Sequence, residues 1–164
     1  MTESSLTPAR LWRRMTSEQR LRASRAFWSD DSIADDQIQA ALLIAQQKKF
    51  RPKFVLGLDE ERRAKHLSTL AAMPEALAAR ALVIYHLTEQ RQMMGEFLDA
   101  LGLKHENGLI EEDDAKPDAE KMDAAVAAIS AKYPADDVSL YLSTLLCQDP
   151  ETWGALRPFP QVMQ

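Results

Sequence analysis

The longest helical pattern in the sequence runs from Pro74 to Leu101 and reads PEALAARALVIYHLTEQRQMMGEFLDAL. Proline is favoured at the first position of a helix, and apolar residues then recur at the three- and four-residue spacing of an amphipathic helix. We therefore predict one helix over about 74–101, which at 1.5 Å per residue would be about 40 Å long. A helix of that length is expected to be central in a chain of this size. Gly102 ends it, and Gly95 is the expected position of a bend.

Further helices are predicted on both sides of this segment. Thr16 and Gln19 have the spacing of a capping box, in which each side chain accepts a hydrogen bond from the other residue's amide. Proline at position 8 opens the helix before it. The remaining predicted helices cover about 8–15, 16–28, 36–50 and 59–72, and two more amphipathic patterns follow, one from Met122 to Tyr133 and one from Val138 to Leu145. The apolar run 54–58 has no similar strand to pair with, so we expect a linker packed on the core.

The expected architecture is all-α, with one compact domain over residues 1–164 and six or seven helices packed around the long central one. Residues 1–6 and 157–164 are expected to be extended tails. On the third helix, Ile38, Ala41, Leu42 and Ala45 share one predicted apolar face. Five aromatic residues are also predicted to lie in the core: Trp12, Phe27, Trp28, Phe97 and Tyr141.

Length and composition exclude several classes of protein. The chain has 164 residues, of which 46% are hydrophobic and 27% charged, as in an ordinary globular domain. The single cysteine, Cys147, excludes an internal disulfide framework and any zinc or redox site that needs paired cysteines. Glycine-rich phosphate loops, nucleophile elbows and zincin motifs are absent from the sequence. We therefore expect no cofactor and no metal, and we favour a non-enzymatic function over a catalytic one.

The N-terminal sequence and the hydropathy pattern predict where the protein resides. Residues 1–5 include an acidic residue and no apolar core, which is unlike a secretory signal. The most apolar stretch, 76–87, is interrupted by Arg80 and is far shorter than the roughly 20 residues that a membrane span needs. We therefore expect a soluble cytoplasmic protein without membrane association.

Charge is distributed unevenly along the chain. Residues 1–95 carry 15 basic and 11 acidic side chains, a net charge of +4, whereas residues 96–164 carry 5 and 14, a net charge of −9. A nucleic-acid surface needs cations that converge on one face, and the overall charge of −5 argues against such a function. The basic excess lies in Arg10, Arg13, Arg14, Arg20, Arg22, Arg25, Lys48, Lys49, Arg51 and Lys53.

His86 is the first candidate for a functional residue. On a helical wheel its imidazole lies in the middle of the broad apolar stripe of the long helix, where a desolvated histidine needs a hydrogen-bond partner, a ligand or a neutral state. Glu89 is the nearest carboxylate on that helix, and Tyr85 precedes the histidine. The three residues predict either a small-molecule or metal pocket, with His86 as base or ligand, or a neutral core histidine bonded to a backbone carbonyl. A lone histidine without a catalytic constellation favours the second alternative.

Arg20 and the polar segment 103–114 complete the candidates. Arg20 projects about 140° from Arg22 and Arg25, on the apolar side of its helix, which predicts a buried stem and a guanidinium paired with a carboxylate. The segment 103–114 contains His105 among carboxylates, but its spacing does not fit a calcium-binding EF-hand. We predict a tight turn at Asn107–Gly108 followed by a solvated acidic loop.

Three functions remain open from the sequence. The leading one is a non-enzymatic protein–protein interaction module that binds a protein partner or a second copy of itself, since amphipathic helices are abundant and no catalytic constellation is present. The second is a small-molecule or metal-binding pocket formed by His86, Glu89 and Tyr85. The third is nucleic-acid binding through the arginine-rich N-terminal helices.

Overall fold

A computed structural model describes residues 6–111 and 116–164 and confirms the all-α class, with 68% of these described residues in helices. The described residues form nine α-helices and one small hairpin. The helices are α1 (Pro8–Arg14), α2 (Ser17–Ser29), α3 (Ala34–Lys48), α4 (Pro52–Leu56), α5 (Glu60–Ser68), α6 (Glu75–Glu89), α7 (Arg91–Ala100), α8 (Ala119–Lys132) and α9 (Ala135–Gln148). The hairpin consists of β1 (His105–Glu106) and β2 (Leu109–Ile110). Most of the predicted tail at 1–6 and of the acidic loop lies outside the described residues.

The prediction of one helix over 74–101 is wrong, because Gln90 separates α6 from α7. Gln90 has φ −120° and ψ 12°, which lies outside the helical region. The carbonyl of Leu87 accepts a hydrogen bond from the guanidinium Nε of Arg91. A side chain thus supplies a donor to a carbonyl at the end of α6, where helical partners run out.

Gly95 lies inside α7 and is not a bend. A Cβ atom at this position would lie 3.3 Å from Cε1 of His105 on β1, a closer approach than side chains ordinarily tolerate. Glycine at this position thus gives the hairpin room to pack closely on the helix.

The second difference from the predicted six or seven helices is α4. The run expected to be a linker is helical from Pro52, the favoured first position, and its Val55 is buried. Together with the break at Gln90, this extra helix accounts for the nine helices of the described residues.

The described residues cluster into two compact units: an N-terminal unit, Pro8–Tyr85, and a C-terminal unit, His86–Gln164, to which Leu6 and Thr7 also belong. In the N-terminal unit α2 packs against α5, and α3 packs against α4 and α5. The predicted core aromatics of this unit are buried, with the Phe27 and Trp28 rings edge to face at 5.3 Å. The single domain predicted over residues 1–164 stays a prediction.

The predicted apolar face of α3 is only half right. Ala41 and Ala45 are buried, but Ile38 and Leu42 are exposed, and the buried face turns instead towards Ala40 and Ile44. This face is rotated about 80° from the predicted one. The reason is tertiary, since α4 and α5 pack against α3 and its alanines let neighbouring helices approach closely.

The C-terminal unit has one aromatic core built by α7, α8, α9 and the last residues of the chain. Phe97 contacts the rings of Tyr141 at 5.6 Å and Trp153 at 6.0 Å, and all three side chains are buried. Residues 157–162 form turns and bends rather than the extended tail predicted over 157–164. Val162 is buried in this core, and the amide of Met163 donates to Oγ of Ser143 at 2.9 Å. Apolar burial therefore folds the chain end back onto the unit.

The turn predicted at Asn107–Gly108 is confirmed. Both residues have positive φ, 53° and 92°, as a two-residue type I′ hairpin turn requires. The turn joins β1 to β2, which pair antiparallel with His105 opposite Ile110.

Candidate functional site

His86 lies at the start of the C-terminal unit, as buried as its place on the helical wheel predicts, with 4% of its surface exposed. Its Nε2 is 2.9 Å from Oγ1 of Thr144 on α9. The Thr144 hydroxyl donates its own hydrogen to the carbonyl of Leu140 at 2.7 Å, so it accepts from His86. The imidazole therefore carries a proton on Nε2.

Burial also determines the charge state of His86. Desolvation lowers its pKa from 6.5 to about 4, so the ring is neutral at physiological pH. Its ring packs against Tyr141 at 5.8 Å, and the pKa of the buried Tyr141 hydroxyl is raised for the same reason. These contacts are similar to those expected of a neutral core histidine, except that a threonine hydroxyl takes the place of the expected backbone carbonyl.

The other two residues of the predicted pocket lie in different surroundings. Glu89 is exposed to solvent, whereas Tyr85 is completely buried. A carboxylate in solvent does not share the desolvated environment of the histidine. Three cavities, of about 210, 340 and 370 Å³, are lined by other residues.

Arg20 has a structural role, but the predicted carboxylate partner is wrong. Its guanidinium donates to three backbone carbonyls: those of Met15 at 2.6 Å, Arg13 at 3.2 Å and Ser68 at 3.2 Å. These carbonyls lie at the C-terminal ends of α1 and α5, where helical donors run out and the helix dipole is negative. Arg20 therefore joins the ends of two helices to the first turn of α2.

The remaining N-terminal arginines are partly neutralised by the chain itself. Arg25 forms a two-point ion pair with Glu61, at 2.7 and 2.9 Å, and Arg22 pairs with Glu18 at 2.8 Å. Together with the carbonyl contacts of Arg20, these pairs occupy half of the six arginines predicted to form a nucleic-acid surface. The cations that remain available to a polyanion are correspondingly fewer.

His105 forms a contact within the C-terminal unit that sequence reasoning missed. Its Nε2 is 2.7 Å from Oδ1 of Asp99 on α7, and its Nδ1 accepts from the amide of Gly108 at 3.2 Å. Nε2 thus holds the hairpin on α7, and Nδ1 accepts a hydrogen bond within the hairpin turn. The contact with Asp99 gives this histidine a structural partner on α7.

The N-terminal unit has an unusual surface at α3 and α4, which we call the α3–α4 face. Four large apolar side chains on it are about half exposed: Ile38 47%, Leu42 45%, Phe54 52% and Leu56 48%. Ile38 and Leu42 are four residues apart and form one ridge of α3. Phe54 and Leu56 lie on either side of the buried Val55 of α4.

Three exposed cations belong to the same face. Lys49, Arg51 and Lys53 are interleaved with Phe50, Phe54 and Leu56 between the end of α3 and the end of α4. None of the three forms an ion pair or a side-chain hydrogen bond with the residues that the structure describes. The basic run was visible in the sequence, but the exposed apolar residues beside it depend on how α3 packs.

Next to this face lies a cluster of titratable groups. Nζ of Lys48, at the end of α3, is 2.9 Å from Nδ1 of His66 and 2.6 Å from Oγ1 of Thr69, both at the end of α5. The ring of Phe50 packs edge to face on His66 at 5.2 Å, and Phe54 packs on Phe50 at 5.1 Å. Sequence reasoning placed Lys48 in the basic run but had no means of pairing it with His66, 18 residues away.

Comparisons with protein-family models, with curated proteins and with solved structures found no match to this chain. Within residues 6–111 and 116–164, no group of three or more His, Cys, Asp or Glu side chains is placed to hold a metal ion. Over the same residues, no helix is both long and apolar enough to cross a membrane.

Proposed function

We propose that this chain is a non-enzymatic protein–protein interaction module that binds an acidic, amphipathic segment of a partner protein through the α3–α4 face. The observation that carries the proposal is the combination of half-exposed Ile38, Leu42, Phe54 and Leu56 with three cations that have no ion-pair partner in the described chain. Exposed apolar side chains bordered by polar residues are typical of interaction sites.

The charges on this face favour an acidic partner. Lys49, Arg51 and Lys53 are exposed, and each would gain a counter-ion from an acidic segment. Complementary charge speeds association and selects the partner, while burial of the apolar side chains supplies most of the affinity.

Two other classes of partner are supported less well. A nucleic acid would use the cations and Phe54 but would leave the aliphatic ridge of Ile38 and Leu42 without a role. A membrane surface would need a longer amphipathic helix than the five residues of α4.

The proposal is tested by comparing capture from a lysate by the immobilised wild-type chain, by Leu42→Asp and Phe54→Asp variants, and by a matched control. Leu109→Asp is the control, because Leu109 is also about half exposed but lies on the hairpin. We expect a partner that the wild type and Leu109→Asp retain and both face variants lose. Its cross-linked segment should be acidic and should be released by salt.

Three results would overturn the proposal. The first is equal retention of every partner by the face variants and the wild type. The second is a dimer in light scattering that Leu42→Asp dissociates, which would make a second copy the occupant. The third is salt-sensitive retention on single-stranded RNA that falls in Lys53→Glu but is unchanged in Leu42→Asp.

A further inference from the structure

The ammonium of Lys48 has an environment that differs from that of every neighbouring lysine. It is half-buried between α3 and α5 and donates hydrogen bonds to Nδ1 of His66 and Oγ1 of Thr69. The Thr69 hydroxyl has its own hydrogen directed at the carbonyl of Lys65, at 3.0 Å, so it is an acceptor for Lys48. Both contacts hold the nitrogen in place.

The partner at 2.9 Å is a base and not an acid. His66 accepts from Lys48 through Nδ1, so its ring is neutral and its proton is on Nε2. None of the ion pairs in the described residues involves Lys48, so no carboxylate there stabilises the ammonium form. A proton can pass from Nζ to Nδ1 along the existing hydrogen bond and leave a neutral amine.

We propose that Lys48 is a reactive lysine that forms an imine with small aldehydes, with His66 as the base that accepts its proton. The neutral amine attacks the carbonyl carbon, and a C–N bond forms as the carbonyl electron pair moves to oxygen. The nitrogen then passes one further proton to the carbonyl oxygen, and the proton held by His66 goes to the same oxygen, which leaves as water and gives the protonated imine. No oxidant or reductant is consumed in this condensation.

Burial supports the same assignment. Desolvation lowers the pKa of Lys48, and desolvation followed by the nearby Lys48 charge lowers the pKa of His66. The first shift makes the neutral amine of Lys48 easier to reach than that of an exposed lysine, and the second keeps the resting imidazole of His66 neutral and able to accept a proton. The aromatic rings of Phe50 and Phe54 beside His66 give the approach to the amine an apolar wall.

For Lys48, Lys49 and Lys53, the hydrogen-bond geometry and the solvent exposure predict opposite orders of reactivity with an aldehyde. Lys49 and Lys53 are exposed, whereas Lys48 is half-buried, so access alone would make Lys48 the slowest of the three. The proposed proton transfer makes it the fastest. All three residues lie within one short segment and can be compared in the same molecule.

The experiment treats the whole chain with limiting acetaldehyde and sodium cyanoborohydride near neutral pH and locates the trapped ethyl groups by peptide mass spectrometry. The cyanoborohydride supplies the hydride that reduces the imine to a stable amine. We expect labelling at Lys48 to be at least about threefold faster than at Lys49 and Lys53. The preference should vanish in guanidinium chloride, where the cluster is lost.

Variants of His66 separate the base from its hydrogen bond. The amide oxygen of His66→Asn can accept from Lys48 but cannot take up its proton, so Lys48 should fall to the rate of Lys53. Thr69→Val should lower the rate less, because the base remains. Equal or slower labelling of Lys48 in the native wild type would overturn the proposal, as would a preference that persists in the denatured chain.

Discussion

The two units of this chain differ in net charge and in the solvent exposure of their apolar side chains. The N-terminal unit, 8–85, carries 14 basic and nine acidic residues, a net charge of +5, and residues 86–164 carry six and 15, a net charge of −9. Four of the five large apolar side chains that are exposed in the described residues belong to the basic unit. The acidic unit instead packs its aromatic residues into one core.

The units also satisfy their buried polar groups differently. In the basic unit, the guanidinium of the partly buried Arg20 donates to the carbonyls at two helix ends. In the acidic unit, His86 is neutral and donates to a threonine hydroxyl. An arginine thus tolerates partial burial where helix dipoles replace a counter-ion, whereas a fully buried histidine is neutral.

The largest expected effect breaks the core of the acidic unit. Phe97→Ala removes the ring that contacts both Tyr141 and Trp153, so we expect the free energy of unfolding to fall by about 3–5 kcal/mol in urea titrations. Leu109→Ala, at an exposed position, is the control and should change it by less than about 0.5 kcal/mol. Hydrogen exchange on Phe97→Ala then measures whether the two units lose protection together. Equal loss of protection in both would support one domain, and loss confined to 86–164 would contradict it.

The second prediction concerns the charge state of His86. Because its pKa is about 4 in the folded chain and near 6.5 in the unfolded one, the unfolded state binds more protons between these values. Stability should therefore fall as the pH drops from about 6.5 to about 4, by up to about 3 kcal/mol.

Unfolding titrations of His86→Leu across this pH range check the prediction. The variant should lose most of the slope, because leucine does not titrate. An unchanged slope would contradict the assignment. Loss of a copurifying metal or ligand from the variant would instead favour the predicted pocket of His86, Glu89 and Tyr85.

The smallest of the three effects concerns Arg20. Arg20→Met leaves the helix-end carbonyls of Met15 and Ser68 without their charged donor, which we expect to cost about 2 kcal/mol in thermal or urea unfolding. Arg22→Met removes only an exposed ion pair with Glu18 and should cost less than about 0.5 kcal/mol. Equal effects of the two substitutions would show that the carbonyl contacts do not distinguish Arg20.

The predictions that succeeded depend on residues close together in the sequence. The capping box of Thr16 and Gln19 is present, with its two bonds at 3.0 and 3.1 Å. The turn at Asn107–Gly108 follows from two residues that tolerate positive φ. The burial of His86 follows from its place on a helix face.

The predictions that failed needed information from distant segments. The carbonyl partners of Arg20 include Ser68, 48 residues away, and the partner of His86 is 58 residues away. No glycine or proline lies at the break at Gln90, so the local sequence does not predict that the helix is interrupted there. Nothing in the sequence distinguishes Ile38 and Leu42 from core residues, since their spacing on α3 is that of a buried face.

Local patterns in the sequence are enough to predict the helical class, the main helix starts and the tight turn at Asn107–Gly108, because capping, proline geometry and the 3.6-residue period act within a few residues. Contacts between distant segments determine which face of α3 is covered, which groups bond to Arg20 and His86, and that Lys48 contacts His66. These outcomes depend on which helices pack together, and packing selects among faces and partners that are equivalent by local rules.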